Sequence, residues 1–323
     1  MKRVSIGGQA VLEGVMMKGP KSYALAVRKP NKEIEVKVTD YVSLGERYKI
    51  LQIPLLRGIV NFLESLYIGM KTLMDSSEYV EDEEEAKKES SSKKEDTKKA
   101  SSDKKEEANK ESSTGYLIGT LIVSLVIAVG VFMLLPAFLA NFLYKVTESD
   151  LLVNLAEGIL RLVIFLGYVL VISFMDDIKR TYMYHGAEHK TINCMEAGDD
   201  LTVENVKKHT RFHKRCGTSF VFIVMFISIV VFMFVRTDVM WLRLVSRVLL
   251  IPLIAGISYE FIRYAGKHNN ACSNVLSAPG LWVQRLTTRE PDDSMIEVAI
   301  KSVEGVIDWH EYVDCVRNNT FEV

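Results

Sequence analysis

Residues 116–144 contain no charged side chain and are interrupted only by Pro136. About 20 consecutive apolar residues cross the hydrocarbon core of a bilayer, so a run of this length favours a chain that lives in lipid. Lipid offers the backbone no hydrogen-bond partners, which restricts such a run to helix. Three further apolar runs follow at 151–174, 220–235 and 248–262, the last extending back toward Trp241 on a longer reading. The chain is 48% apolar and 25% charged, and the two classes occupy different stretches. The expectation is a mainly α, polytopic membrane protein with about four transmembrane helices, residues 115–265, accompanied by a small β-containing cytosolic N-terminal region, an amphipathic helix and a helical cytosolic tail.

Glu157 and Arg161 fall inside the second run. Each would cost roughly 2.5–3.5 kcal/mol at a helix centre on insertion scales, so their i,i+4 spacing predicts that they pair or face the bundle interior. Between the second and third runs lie Lys179, Arg180, Lys190, Lys207, Lys208, Arg211, Lys214 and Arg215. The opposite side offers chiefly Lys145, Arg236, Arg243 and, on one count, Arg247. The positive-inside bias therefore assigns the central loop, 175–219, to the cytoplasm, and four spans return both termini to that side. Cys194, Cys216, Cys272 and Cys315 have no paired spacing, consistent with reduced thiols facing a cytoplasm. Residues 1–8 lack the apolar core of a signal peptide.

Outside the spans, residues 1–50 read as a glycine-punctuated turn region followed by a β-hairpin. Gly7, Gly8, Gly14 and Gly19 do not fit a nucleotide-binding spacing, so a packed turn is expected over 5–20. Residues 33–39 alternate polar and apolar, 22–28 are more uniformly apolar, and 29–32 supply the turn. In 53–74, within a segment 51–80, Arg57, Asn61, Glu64, Ser65 and Lys71 share one stripe at helical spacing, predicting an amphipathic helix on the membrane or against other helices. Residues 81–113 hold only Glu, Asp, Lys, Ser, Thr, Ala and Asn and are expected to form a flexible charged linker ending by 114. The tail, 266–323, turns helical from about Pro291, where Glu290-Pro291-Asp292-Asp293 resembles a helix start.

The polar segment between the second and third runs contains His185-Gly186-Ala187-Glu188-His189. On a helix the two histidines share a face and both imidazoles can reach one ion. The order H-x-x-E-H is that of the inverted zincin motif, in which two histidines hold zinc and the glutamate is the general base. Glu188 is accordingly the candidate catalytic residue and a divalent metal, zinc, the expected cofactor. A catalytic zinc takes a third protein ligand; His213, then Glu260, then Cys216 are the candidates in that order, with His209 and His268 on the same membrane face. Arg211 or Lys190 could stabilise an oxyanion.

Four blocks carry a resemblance: residues 7–17, 184–191, His213 with 215–220, and 279–282 leading to 286–293. Together they resemble the YqhQ family of bacterial membrane proteins of unknown function, sometimes described as metal-dependent. Lys214 departs from that pattern, since family members often carry Pro there, which alters the local turn. The resemblance implies a multispanning membrane fold and directs attention to His185, Glu188, His189, His213 and Cys216 without supplying a substrate.

Three functions follow from different observations: a cytoplasm-facing metallohydrolase or peptidase from the H-x-x-E-H segment; a non-enzymatic membrane scaffold or assembly factor from the cytosolic regions; and an oligomeric transporter from Glu157 and Arg161. Membrane lipid is the expected partner, with a protein partner or a second copy as further candidates. A net charge of -1, with no zinc-finger spacing and no aromatic and basic interleaving, argues against nucleic acid.

Overall fold

The computed structural model describes residues 6–91, 119, 123–124, 126–235, 239–268 and 270–321. They are mainly helical with a small antiparallel sheet at the N-terminus. The strands are β1 (Gly7–Val11), β2 (Gly14–Lys18), β3 (Ser22–Arg28) and β4 (Ile34–Asp40), paired in that order. The glycine-rich stretch expected to be a turn region is thus itself a hairpin, Gly7 opposite Lys18 and Val11 opposite Gly14. Its turn is compact because Glu13 takes a left-handed φ of 49°. The second hairpin occupies the residues the alternation indicated, with Arg28 opposite Ile34.

The helices are α1 (Leu44–Arg47), α2 (Leu56–Ser91), α3 (Leu135–Asn141), α4 (Asp150–Ile172), α5 (Asp176–Ala197), α6 (Val203–Lys208), α7 (Gly217–Met233), α8 (Met240–Leu249), α9 (Ile251–Lys267), α10 (Ala271–Thr287), α11 (Asp293–Glu304) and α12 (Trp309–Asn318). Helix α2 continues into the charged stretch expected to be linker. Glu, Lys and Ala are good helix formers, so the polar composition is compatible with continuing the helix. The rest of that linker, residues 92–113, lies outside the described residues.

Among the described residues, three helical stretches are long and apolar enough to cross a membrane: Val126–Lys145, Asp150–Ile172 and Leu244–Gly266. The remaining run, expected as a fourth span, is the apolar but shorter helix Gly217–Met233. In the first, a π-type turn at Gly130–Leu134 precedes Pro136 in the opening turn of α3. A proline lacks an N–H and crowds the preceding turn, and a widened turn accommodates that loss.

The chain divides into two compact units. One consists of Ala86–Gly167 and Ser228–Leu249. Here Arg161 pairs with Glu157 at 2.8 Å, as the i,i+4 spacing indicated. The same carboxylate also takes Arg247 at 3.0 Å, and Arg247 further donates to Asn154 at 3.2 Å and lies 4.0 Å over the Phe232 ring. Arg247 is 1% exposed. It is therefore no loop charge and drops out of the charge count used for orientation.

The other unit gathers Met1–Glu85, Tyr168–Ile227 and Leu250–Val323. Alternate sheet residues feed two cores. Met16, Tyr23, Leu25 and Val27 pack with Ile68 of α2. Val15, Met17 and Ala26 pack with Tyr184 and Ala187 of α5 and with Met295, Ile296, Ala299 and Val303 of α11. Strand β3 is buried on both faces, which is why its sequence is apolar throughout, whereas β4 is an edge strand and alternates. The segment treated as a cytoplasmic loop is largely helix α5, and the segment treated as a tail supplies α11 and α12 to this core.

Candidate metal centre

Helix α5 carries the H-x-x-E-H residues, and its seat is fixed by small side chains. A Cβ on Gly186 would overlap the Arg289 carbonyl oxygen, and a Cβ on Gly8 of β1 would meet Glu188 Cγ at 2.9 Å. The glycines let α5 lie directly against the α10–α11 connection and the first strand. At that contact Arg289 N–H donates to the Tyr182 carbonyl at 2.8 Å.

One face of α5 holds the segment 207–216 along its length. Lys190 Nζ donates to the Lys207 carbonyl at 3.0 Å, and Asn193 donates to the carbonyls of Thr210 and Phe212 at 2.7 and 3.1 Å. Glu196 pairs with Arg215 and faces His213 Nε2 at 3.7 Å. From the other side, buried Gln284 of α10 accepts from His213 N–H at 2.8 Å and donates to the His213 carbonyl at 2.7 Å and Ser219 Oγ at 2.8 Å. These contacts bracket Cys216 at the entrance to α7.

The ligating atoms of His185, His189 and Cys216 then lie within 4.8 Å of one another. His185 Nε2 is 3.2 Å from Cys216 Sγ. Tetrahedral zinc, with Zn–N about 2.0–2.1 Å and Zn–S about 2.3 Å, places N and S about 3.5 Å apart, so small adjustments suffice. The hydrogen bonds on the far side of each ring are equally informative. His185 Nδ1 lies 2.9 Å from the Thr287 carbonyl oxygen, and His189 Nδ1 lies 2.6 Å from that of Arg211. A carbonyl can only accept, so each Nδ1 carries a proton and each Nε2 is the atom left to ligate.

Cys216 stands at the N-terminus of α7, where the Thr218 N–H donates to its sulfur at 3.4 Å. Burial pushes the thiol up, but the imidazoles of His185 and His189 outweigh burial and hold it well below its ordinary value. The helix terminus favours the thiolate in the same sense. For His185, burial acts downward, while Cys216 and Glu188 outweigh it and raise the ring to about 9. Burial raises the Glu188 carboxyl, opposed by His189 and His185. Two nitrogens, one sulfur and a neighbouring buried carboxyl form a donor set suited to a borderline-soft divalent ion, with Glu188 able to carry a proton beside it.

The other candidates lie elsewhere in the unit. The His213 ring is 5.6 Å from that of His189, centre to centre, with Nε2 turned to Glu196. Glu260 is not brought to the histidines, because both of its oxygens accept from Arg57. His209 pairs with Asp199 at 2.9 Å, and His268 Nδ1 meets the Tyr264 carbonyl at 3.0 Å. Lys190 and Arg211 both approach Glu290, at 2.9 and 3.9 Å, so neither is a lone cation awaiting an oxyanion. Cys216, ordered last from sequence, is the third member of the cluster.

The family model described as "Protein of unknown function (DUF1385)" matches residues 53–309, a stretch that includes every residue of the cluster. The chain belongs to this family. Its description names no metal and no reaction, which leaves the cluster to be argued from geometry. Within DUF1385, "Uncharacterized protein YqhQ" of Bacillus subtilis (strain 168) is 36% identical over 312 residues, covering 93% of this chain and 92% of the relative. That likeness agrees with the resemblance read from the four sequence blocks. No solved structure matches the chain.

Gln284, Asn193 and Glu196 were not among the residues singled out from sequence. Asn193 and Glu196 follow His189 by four and seven positions and so share its helical face, a signal that was available. Gln284 is one of several polar residues in its helix, beside Arg285, and nothing in the sequence sets it apart.

Proposed function

We propose that this chain is an integral membrane protein of the bacterial plasma membrane that holds one divalent ion, zinc by the donor chemistry, on His185, His189 and Cys216. The observation that carries the reading is the pair of Nδ1 hydrogen bonds to backbone carbonyls, which leaves the two Nε2 atoms to ligate in a cluster with one cysteine sulfur. Three protein ligands leave a fourth position for water or substrate, the arrangement of catalytic sites. An ion held by these residues would supply Lewis acidity to a bound ligand. Glu188, buried and raised above its ordinary carboxylate range, would hold or release a proton beside those ligands. The reading extends to a metal-dependent hydrolase, with a peptidase as one form of it. The orientation bias of the basic residues supports a cytoplasmic position for the N-terminus, the α5 region and the C-terminus.

Glu157 is engaged by two arginines and Arg161 is further bonded to Ser228 and the Phe132 carbonyl, which supports a packing role for these charges over a transport path.

The test is metal content of full-length protein purified without affinity-tag metals. About one zinc per chain is expected in the natural sequence and in Glu188→Gln, falling at least tenfold in His185→Ala, His189→Ala and Cys216→Ser. Unchanged metal in Cys216→Ser, or no stoichiometric metal in the natural chain, refutes the site. Peptide or ester hydrolysis lost in Glu188→Gln with metal retained assigns the proton carrier; hydrolysis unaffected by that change removes the hydrolase reading.

A further inference from the structure

The segment between β4 and α2 presents its apolar side chains outward although it is firmly fastened. Val42 is 69% and Ile50 66% exposed, and Leu44, Tyr48, Ile53 and Leu56 are exposed as well. Loops are usually polar where they face water, so an apolar loop that hangs freely would be unremarkable only if it could fold back. This one cannot. Buried Glu64 of α2 accepts from Leu44 N–H at 2.5 Å and from Ser43 Oγ at 3.0 Å, pinning the start of α1. Gln52 Nε2 donates to the Gly45 carbonyl at 2.8 Å, closing the segment on itself. At its far end Arg57 pairs with Glu260 of α9, and Asn61 donates to Tyr259 Oη at 2.9 Å.

Two further observations select the occupant. Helix α9 belongs to Leu244–Gly266, one of the stretches long and apolar enough to cross a bilayer, and its Ile251, Leu253 and Phe261 are exposed. The outward segment is thus tied to a helix whose own surface suits lipid. Its charged members are exposed Glu46, Arg47 and Lys49, a net positive charge of one, with the two cations flanking Tyr48 and the Arg47 guanidinium 5.7 Å from the Tyr48 ring centre. Apolar side chains, an amphipathic tyrosine and cations side by side are the mixture found at the headgroup level, where basic residues are attracted to an anionic surface.

We propose that the α1 segment, from Val42 to Leu56, is a membrane-docking surface that seats in the headgroup region of an anionic phospholipid leaflet. Because it is fastened to α2, and α2 carries the face of the sheet opposite α5, docking holds the unit bearing the metal cluster against the bilayer. The inference rests on the membrane-spanning reading of the chain, and the test separates the two.

Full-length protein is reconstituted into vesicles of phosphatidylcholine with phosphatidylglycerol, carrying a photo-crosslinking benzophenone side chain at position 50, at position 42, at position 253 of α9, or at position 32 of the exposed β3–β4 turn. Lipid adducts are expected at 50, 42 and 253 and not at 32, with the adduct at 50 falling severalfold in the Arg47→Glu, Lys49→Glu double variant. Adducts at 253 without adducts at 50 and 42 overturn the docking surface and leave the membrane reading standing. Adducts at none of the three remove the membrane reading as well. Crosslinking of position 50 to a second copy or to another protein, in place of lipid, also overturns the proposal.

Discussion

Gln284 has no charge and contributes no ligand, yet it makes three hydrogen bonds around Cys216. In Gln284→Leu the His213 N–H and carbonyl lose their partner in a buried place, each at about 1–3 kcal/mol. Gln284 bonds the chain on either side of Cys216 and no ligand directly, so its loss is expected to weaken zinc binding through the placement of Cys216. Equilibrium unfolding and zinc competition should show both effects, and the first without the second would mean that Gln284 serves only packing. A second residue-scale expectation concerns Cys194, whose thiol burial, with Asp199 and Asp200, pushes up to about 12. Alkylation follows thiolate content. Iodoacetamide at pH 8 should therefore leave Cys194 unmodified in the folded chain and modify it only on unfolding, read by peptide mass spectrometry. At this scale the histidine pair was legible, because i,i+4 is a property of the helix alone. The order of third ligands was not: it depends on how Asn193, Glu196 and Gln284 route the chain back past α5, and sequence separation says nothing about that route.

Helix α5 works as a rail, with His189, Asn193 and Glu196 on one face holding the segment that delivers Cys216. Glu196 is held below its ordinary value: burial acts upward, but the hydrogen bond with His213 and the Arg215 charge outweigh it. A carboxylate with a lowered folded value contributes stability that is present above its unfolded pKa, about 4.3, and lost as pH falls through the folded value. Thermal melting from pH 6 to pH 3 should therefore show a steeper loss in the natural chain than in Glu196→Gln; parallel curves would deny the contribution. At the other end of the rail, Gly186→Ala forces α5 off the Arg289 carbonyl, with an expected destabilisation of about 1–3 kcal/mol. Strand patterns were readable at this scale, since β3 is apolar on both faces and β4 on one. The first hairpin was hidden because its glycines resemble turn punctuation until Glu13 is seen to supply the turn.

At the scale of the molecule, the N-terminal sheet, the α5 region and the C-terminal helices build a single unit from three separate stretches. Their apolar side chains share one core, so regions that read as independent segments are mutually dependent. Deleting residues 290–323 removes Met295, Ile296 and Ala299 from the core they share with β2 and Tyr184. The truncated chain should lose protease resistance in the sheet as well as the tail; an intact sheet would show that the tail is separable. The three long apolar stretches were apparent from composition, while Arg247 was misplaced because no local pattern reveals that it meets Glu157. The proposed centre makes the most direct demand on experiment. Zinc K-edge absorption spectroscopy on the purified, full-length chain should resolve one sulfur at about 2.3 Å and two imidazole nitrogens at about 2.0–2.1 Å, with one further light-atom ligand. A zinc environment without sulfur, or one made of several sulfurs, would contradict ligation by His185, His189 and Cys216.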